Sequence, residues 1–286
     1  MAKLNQEKND LRIFKKISGF EIFSDPFPHL VVKEAFPKST AEILTNNFPI
    51  SQFSKNRNGN LRQDLSSFEV QSIVGLEPLW KQLINYYSSP DFFFQVMEIF
   101  ESYINGEIKE LLINLSEDQI GRRNFKDLNK KVLLDAQISV NTPVINPGSV
   151  RRCHLDSPNK IYSGLIYFRQ PHDDSDGGHL QICKWKDYIT ETEKIKLYKE
   201  GLSEKYFEVS KQINYENNVL ILFLNSINSL HLVTPRSQTN HHRTFVNLVA
   251  EAPFNIYERG SFLYNNKNNL IKHLKKLAKL FIPKKY

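Results

Sequence analysis

The spacing of hydrophobic residues changes character about halfway along the chain. Before residue 130, apolar side chains recur at intervals of three and four, as in Leu79, Leu83 and Tyr86, which is typical of amphipathic helices. The stretch 57–65 is polar, lacks periodicity and is predicted to be irregular. Helices are predicted at 39–47, 76–87, 91–104 and 107–115, with two short strands at 20–23 and 29–32.

After residue 130 the pattern becomes that of short strands separated by turns such as Asp176-Gly177-Gly178. A helical insertion is predicted at 191–200. Several strands without regularly alternating helices favour a sandwich or barrel over a doubly wound sheet. We therefore predict an α+β fold with a mainly β core. The predicted strands are 132–140, 161–168, 179–182, 207–213, 219–224 and 243–250.

Length and composition favour one globular domain. The chain has 286 residues, of which 40% are hydrophobic, enough for a substantial core. We predict a single domain over 1–286, with helical support in 1–130, a β core in 131–255 and a basic C-terminal helix in 256–286. Only Cys153 and Cys183 are available for disulfides, and the charged N-terminus lacks the apolar core of a signal peptide. We expect a cytoplasmic protein.

The positive charge of the chain is concentrated in its tail. The formal net charge is +7, and seven lysines with no acidic residue occur from Lys267 onward, so residues 1–266 are formally neutral. A neutral body argues against a nucleic-acid platform. Apolar residues at helical spacing predict an amphipathic helix over 268–281. Docking of this helix on the body and peripheral contact with an anionic membrane both stay open.

The residues that carry candidate chemistry are His154-Leu155-Asp156 and, far downstream, His231. Residues i and i+2 of a strand point to the same side, so we expect His154 and Asp156 to project together. His231 begins a short apolar stretch after the strongly apolar run 219–224. Two histidines and one carboxylate can hold Fe(II) on one face and leave the opposite face open.

The surrounding order of motifs strengthens this interpretation. Pro147-Gly148 precedes the triplet, Gly177-Gly178-His179 follows it, and Arg243 lies twelve residues beyond His231. This order resembles the prolyl-4-hydroxylase-like branch of the Fe(II)/2-oxoglutarate-dependent dioxygenases. The resemblance covers roughly 133–250 and extends more weakly to 25–32.

The resemblance implies a double-stranded β-helix core of the jelly-roll or cupin-like type, in which His154, Asp156 and His231 are iron ligands and catalytic residues. Arg243 would bind the distal carboxylate of the co-substrate 2-oxoglutarate, for which its planar fork is suited. The implied reaction uses dioxygen, releases succinate and carbon dioxide, and hydroxylates a substrate. Ascorbate is a further cofactor candidate.

A competing triplet, His172-Asp173-Asp174, has the same spacing. It lies in a stretch dense in Asp, Ser and Gly that is typical of a loop, so we prefer His154. We interpret His179 as a histidine flanking a turn. His241 and His242 are interpreted as exposed or supporting residues.

Several further residues are ambiguous from sequence alone. Arg151 and Arg152 could meet an anionic substrate or form a solvated charge pair. Tyr162, Tyr167 and Asn141 could contact 2-oxoglutarate or simply pack in the core.

The substrate stays open between a protein side chain such as proline and a saccharide or lipid-linked glycan. The chain contains no Gly-rich phosphate loop and no Gly-x-Ser-x-Gly motif. An alternative from a different class is a non-catalytic β-sandwich binding protein whose histidines are incidental.

Overall fold

A computed structural model describes residues 11–16, 21–53, 59–104, 106–123, 127, 129–149, 151–197 and 201–258. The predicted helix over 268–281 lies outside these ranges. None of the helices within them combines the length and apolar character needed to cross a membrane. The helices are α1 (Ile13–Lys16), α2 (Lys38–Asn46), α3 (Ser67–Ser72), α4 (Pro78–Tyr87), α5 (Pro90–Ile99), α6 (Gly106–Ile113) and α7 (Glu191–Leu197).

The strands are β1 (Ile22–Phe23), β2 (His29–Lys33), β3 (Arg62–Leu65), β4 (Ile120–Arg122), β5 (Val132–Asn141), β6 (Lys160–Tyr167), β7 (Leu180–Trp185), β8 (Phe207–Ile213), β9 (Val219–Leu224), β10 (His231–Val233) and β11 (Arg243–Glu251). They form two sheets. The main sheet has the order β1-β2-β9-β6-β11-β5-β3 with β4 beside β5, and the minor sheet has the order β10-β7-β8.

The two sheets pack face to face. Leu180, Ile182 and Ile213 of the minor sheet form one apolar cluster with Ile221 and Phe245 of the main sheet. The predicted α+β fold with a mainly β core is confirmed, and the two facing sheets have the double-stranded β-helix form. Among the described strands the sheets share no member, so the barrel is not closed by continuous strand pairing.

The helices cover the opposite face of the main sheet. Trp80 of α4 is fully buried, and its ring lies 4.9 Å from that of Phe168, just beyond β6. Phe92 of α5 contacts Tyr162 of β6 edge to face at 6.3 Å. This layer contains most of the buried apolar side chains in the described chain. Each fully buried Val, Leu, Ile, Phe or Met side chain stabilises a fold by about 1.5–3 kcal/mol.

The sequence prediction missed several elements, one of which is the short strand β4 beside β5. The stretch predicted to be irregular contains β3, which pairs antiparallel with β5. Its side chains are polar, so no hydrophobic alternation marks it. Helix α3 was also not predicted, although Ser66 and Glu69 form a capping box at its start.

Candidate metal centre

The three predicted ligands lie together. Main-chain N–H groups of His154 and His231 each donate to the other's carbonyl, at 3.0 and 3.1 Å, and the ring centroids are 4.2 Å apart. Asp156 follows two residues later. One side-chain ligand atom from each residue lies within 4.8 Å of the other two, and all three residues are buried. No other such group of three or more occurs in the described part of the chain.

The backbone fixes the orientation of both imidazoles. His154 Nδ1 lies 2.7 Å from the Arg152 carbonyl oxygen, and His231 Nδ1 lies 2.9 Å from that of Ser229. A carbonyl only accepts, so each Nδ1 carries the hydrogen and each Nε2 has a lone pair that can bind a metal. In the structure the Nε2 of His154 accepts from Arg151 Nε at 3.2 Å, a contact that a bound metal would replace. Burial lowers the pKa of both rings, which keeps them neutral near pH 7 as metal ligation requires.

Asp156 is held as a carboxylate. Ser163 Oγ donates to Asp156 Oδ2 at 2.6 Å, and Lys160 Nζ lies 3.1 Å from Oδ1. Burial alone would raise the Asp156 pKa, but Lys160, the two histidines and the Ser163 hydrogen bond outweigh burial and hold it well below its usual range. Two neutral imidazoles and one carboxylate are a donor set that fits Fe(II).

The segment that carries His154 and Asp156 is not a strand, contrary to our expectation. It forms a single bridge, between His154 and His231, and one further main-chain hydrogen bond to β10, from the Val233 N–H to the Arg151 carbonyl at 3.0 Å. Leu155 points into an apolar cluster with Cys153, and the Tyr257 hydroxyl donates to the Asp156 carbonyl at 2.6 Å. With Leu155 buried on one side, His154 and Asp156 project to the other, as strand alternation would have placed them.

Arg243 lies in the same cavity as the triad and is 2% exposed. Its Nε donates to the Gly178 carbonyl at 2.8 Å, its Nη2 to the Tyr167 hydroxyl at 2.8 Å, and its Nη1 to Asn141 Oδ1 at 3.2 Å. The guanidinium stacks on the rings of Tyr167 and Phe245, each 4.8 Å away. Among the described residues no carboxylate pairs with it. A buried cation whose partners are all neutral is suited to an anionic ligand.

Gly178 and Arg236 position the loop that supports Arg243. Gly178 has a φ of +72°, and a Cβ there would lie 3.1 Å from Arg243 Cδ and 3.2 Å from Arg236 Cδ. Arg236 is buried and donates to the carbonyls of Thr142 and His241 at 3.3 and 2.9 Å. It also donates to the Ser175 hydroxyl at 3.4 Å. Sequence reasoning missed Arg236, because an arginine that donates mainly to main-chain carbonyls leaves no motif.

The cavity has a volume of about 380 Å³ and continues from the triad across the main sheet. Asn141 and Arg151 line the cavity, which is one of the two alternatives that the sequence left open for each. Tyr167 does not line it but accepts a hydrogen bond from Arg243, which does. Tyr162 instead faces the helices, and Arg152 is exposed. Sequence reasoning missed the supporting residues Ser163 and Lys160. It also missed a polar floor, which consists of Arg62, Asp64, Arg123, Gln137, Asn247 and Glu251.

The rival histidines lie elsewhere. His172 and Asp174 are exposed, and His172 contacts the ring of His241 at 5.0 Å. His179 Nδ1 accepts from the Tyr215 main-chain N–H at 3.0 Å, which is a structural role. The preferred triplet is therefore the one that the fold buries beside His231.

No protein-family model matches the chain, and no curated protein matches it. Among solved structures it is similar to a prolyl 4-hydroxylase from Phytophthora capsici, at 12% identity and a TM-score of 0.45 over 98% of this chain and 75% of that one. It is also similar to IDO from Bacillus thuringiensis, at 11% identity and a TM-score of 0.47 over 84% of this chain and 98% of that one. A third similar structure is the Fe(II)/(alpha)ketoglutarate-dependent dioxygenase TqaL, at 8% identity and a TM-score of 0.41 over 79% of this chain and 83% of that one. At these identities and TM-scores the likeness carries no functional argument, which rests on the geometry of the site.

Proposed function

We propose that the chain is a mononuclear non-haem Fe(II), 2-oxoglutarate-dependent dioxygenase that hydroxylates its substrate. One observation carries the proposal. A single cavity contains a buried His154, Asp156 and His231 set with converging ligand atoms, and a buried Arg243 with only neutral partners. The first feature fits a divalent metal, and the second fits an anionic co-substrate.

Nε2 of each histidine and the carboxylate of Asp156 would hold the metal. Fe(II) bound there would supply the chemistry that couples 2-oxoglutarate and dioxygen to hydroxylation, with release of succinate and carbon dioxide. The protein contributes fixed ligands, because both Nδ1 atoms and one carboxylate oxygen are already committed to hydrogen bonds.

Arg243 would bind the distal carboxylate of 2-oxoglutarate. Each Nη carries two hydrogens. Nη1 donates one of them to Asn141 and Nη2 donates one to Tyr167. The remaining pair can hold both oxygens of one carboxylate. The rings of Tyr167 and Phe245 exclude water from the guanidinium, which strengthens such an ion pair.

Anaerobic addition of Fe(II) and 2-oxoglutarate tests the metal site, because oxygenases of this class then develop a weak visible charge-transfer band. We expect the band in the unaltered protein and its loss in His154→Ala and His231→Ala. His172→Ala, at an exposed position, is the matched control and should keep it. A band that survives in folded His154→Ala and His231→Ala proteins would contradict the proposal.

The role of Arg243 is tested by titrating 2-oxoglutarate into the Fe(II)-loaded protein without oxygen. Arg243→Leu should weaken binding at least about tenfold, because a charge-assisted pair is removed, whereas Arg243→Lys should keep part of the affinity. An unaltered affinity in a folded Arg243→Leu protein would refute this assignment.

The finer parts of the proposal concern cellular location and turnover. We propose a cytoplasmic enzyme whose turnover is sustained by ascorbate as a reductant. Omitting ascorbate from a multiple-turnover succinate assay should shorten the linear phase. The two substrate classes that the sequence leaves open, a protein side chain such as proline and a saccharide, are compared by the succinate that each stimulates.

A further inference from the structure

The polar floor beside the candidate metal centre points to the substrate class. Resting on the proposed function, we propose that the substrate is a small hydroxylated molecule with an acidic group, of the sugar-acid or sugar-phosphate type. Three observations carry this inference: where the floor lies, which hydrogen-bonding groups it presents, and which net charge surrounds it.

The floor is continuous with the residues that hold Asp156. On β11, Asn247, Val249 and Glu251 alternate along the cavity face. Across to β6, Val249 is paired with Ser163 and Glu251 with Lys160, the two residues that contact the Asp156 carboxylate. A molecule lying on the floor would therefore lie next to the metal position.

The floor presents donors and acceptors side by side. Arg62 Nε donates to Asp64 Oδ1 at 2.8 Å, and Asn247 Nδ2 donates to Gln137 Oε1 at 2.9 Å. A third pair joins Arg123 Nε to Glu251 Oε2 at 3.4 Å.

A hydroxyl group both donates and accepts, so several hydroxyls can be matched by such pairs. A proline ring offers no hydroxyl and would displace water from the remaining donors and acceptors of these groups without replacing its hydrogen bonds, at a cost in affinity.

Charge favours an acidic form of such a molecule. Five cationic and three acidic side chains line the cavity, an excess of two positive charges. Fe(II) and 2-oxoglutarate carry opposite charges of equal size and leave that excess in place. Asp135, a buried residue that Arg123 approaches at 4.0 Å from outside the lining, adds a fourth acidic side chain, and an excess of one positive charge is still left. An anionic group is therefore better matched than a cationic or zwitterionic one.

Binding to the protein loaded with Fe(II) and 2-oxoglutarate, measured by calorimetry without oxygen, tests the inference. The probes are D-glucuronate, D-glucose 6-phosphate, methyl D-glucoside and a proline-rich peptide. We expect at least one acidic sugar to bind about tenfold more tightly than the neutral glucoside, because a charged hydrogen bond is worth more than a neutral one. The carboxylate and phosphate probes distinguish the two acidic groups.

Variants locate the binding surface. Arg62→Gln and Arg123→Gln should each abolish most of the preference for the acidic sugar, and Lys38→Gln, on the exposed surface of α2, should leave it unchanged. Melting curves check folding, and Arg62→Lys retains the charge if Arg62→Gln fails to fold.

Three results would overturn the inference: tighter binding of the proline peptide, equal binding of neutral and acidic sugars, or no binding by any sugar while the charge-transfer band forms. Absence of that band would instead contradict the proposed function. Acidic-sugar binding that depends on Arg62 would still support the floor as a binding surface in that case.

Discussion

The two faces of the main sheet are built from the same strands and differ in almost every side chain. On β5, Leu134, Ile138 and Val140 point toward the helices and are fully buried among apolar neighbours. Between them, Gln137 and Asn141 point into the cavity and bind other polar groups. One face is a packed apolar layer, and the other combines a smaller apolar cluster with a network of hydrogen bonds and charges.

Within one sheet, the helix face therefore contributes mainly to stability and the cavity face mainly to ligand binding. The helix face loses water from apolar surface, which is the dominant favourable contribution to folding. The cavity face buries charged groups such as Asp156 and Arg243, whose desolvation must be offset by specific partners. Substitutions on the helix face should therefore change the free energy of unfolding, and substitutions on the cavity face should mainly change ligand binding.

The largest effect is expected for Trp80→Ala on the helix face. Loss of an indole that packs on Phe168 and Phe48 should lower the free energy of unfolding by about 3–5 kcal/mol. The Fe(II) affinity of the folded fraction should stay the same. Denaturant unfolding and metal titration measure the two quantities, and a parallel loss of metal affinity would break the comparison between the faces.

Ser163→Ala, on the cavity face, should weaken metal binding, in contrast to Trp80→Ala. Removal of the 2.6 Å hydrogen bond to Asp156 should weaken Fe(II) binding about 10–100-fold, because the carboxylate loses its orienting partner. The free energy of unfolding should fall by about 1.5–3 kcal/mol, because a hydrogen bond to a charged group is lost and the Asn225 amide, which donates to Ser163 Oγ at 3.0 Å, loses its acceptor. Ser139→Ala, whose hydroxyl donates to Asp64 instead, is the matched control and should leave Fe(II) affinity unchanged.

Two tyrosines of β6 give the sharpest matched pair. Tyr167→Phe removes the acceptor of Arg243 Nη2 and should raise the dissociation constant of 2-oxoglutarate about tenfold. The Tyr162 hydroxyl is buried on the helix face with no hydrogen-bond partner among the described residues. Tyr162→Phe should leave 2-oxoglutarate binding unchanged and stability equal or higher. Equal effects of the two substitutions on 2-oxoglutarate binding would show that the faces are not functionally distinct.

The last expected effect concerns pH. Burial lowers the pKa of His154 and His231 in the folded protein, whereas the unfolded chain protonates histidine near pH 6.5. The unfolded state then binds more protons below about pH 6.5, so metal-free protein should lose stability as pH falls from 7 to 5, by up to about 1.4 kcal/mol per pH unit for each histidine. A His154→Gln/His231→Gln double variant should show a flatter dependence in urea unfolding. An unchanged slope would contradict the assignment.

The sequence predicted the strands that are apolar on at least one face with small errors at their ends. Strands β8 and β9 agree residue for residue with the predicted 207–213 and 219–224. Strand β3 was missed because all of its positions but Leu65 are polar, and its partners on β5 lie far along the chain. Hydrophobic periodicity reports burial in an apolar layer, so it is silent where a strand forms part of a polar cavity.

The identities of His154, Asp156, His231 and Arg243 as a candidate set came from the sequence by itself, since their types and order are sufficient to suggest the chemistry. The tertiary structure brings His154 beside His231, as the sequence favoured. It alone decided that Tyr167 rather than Tyr162 supports Arg243, and that Lys160 and Ser163 hold Asp156. The physical reason is that residue type limits which bonds a side chain can make, whereas strand register and loop pairing decide which partners come within reach.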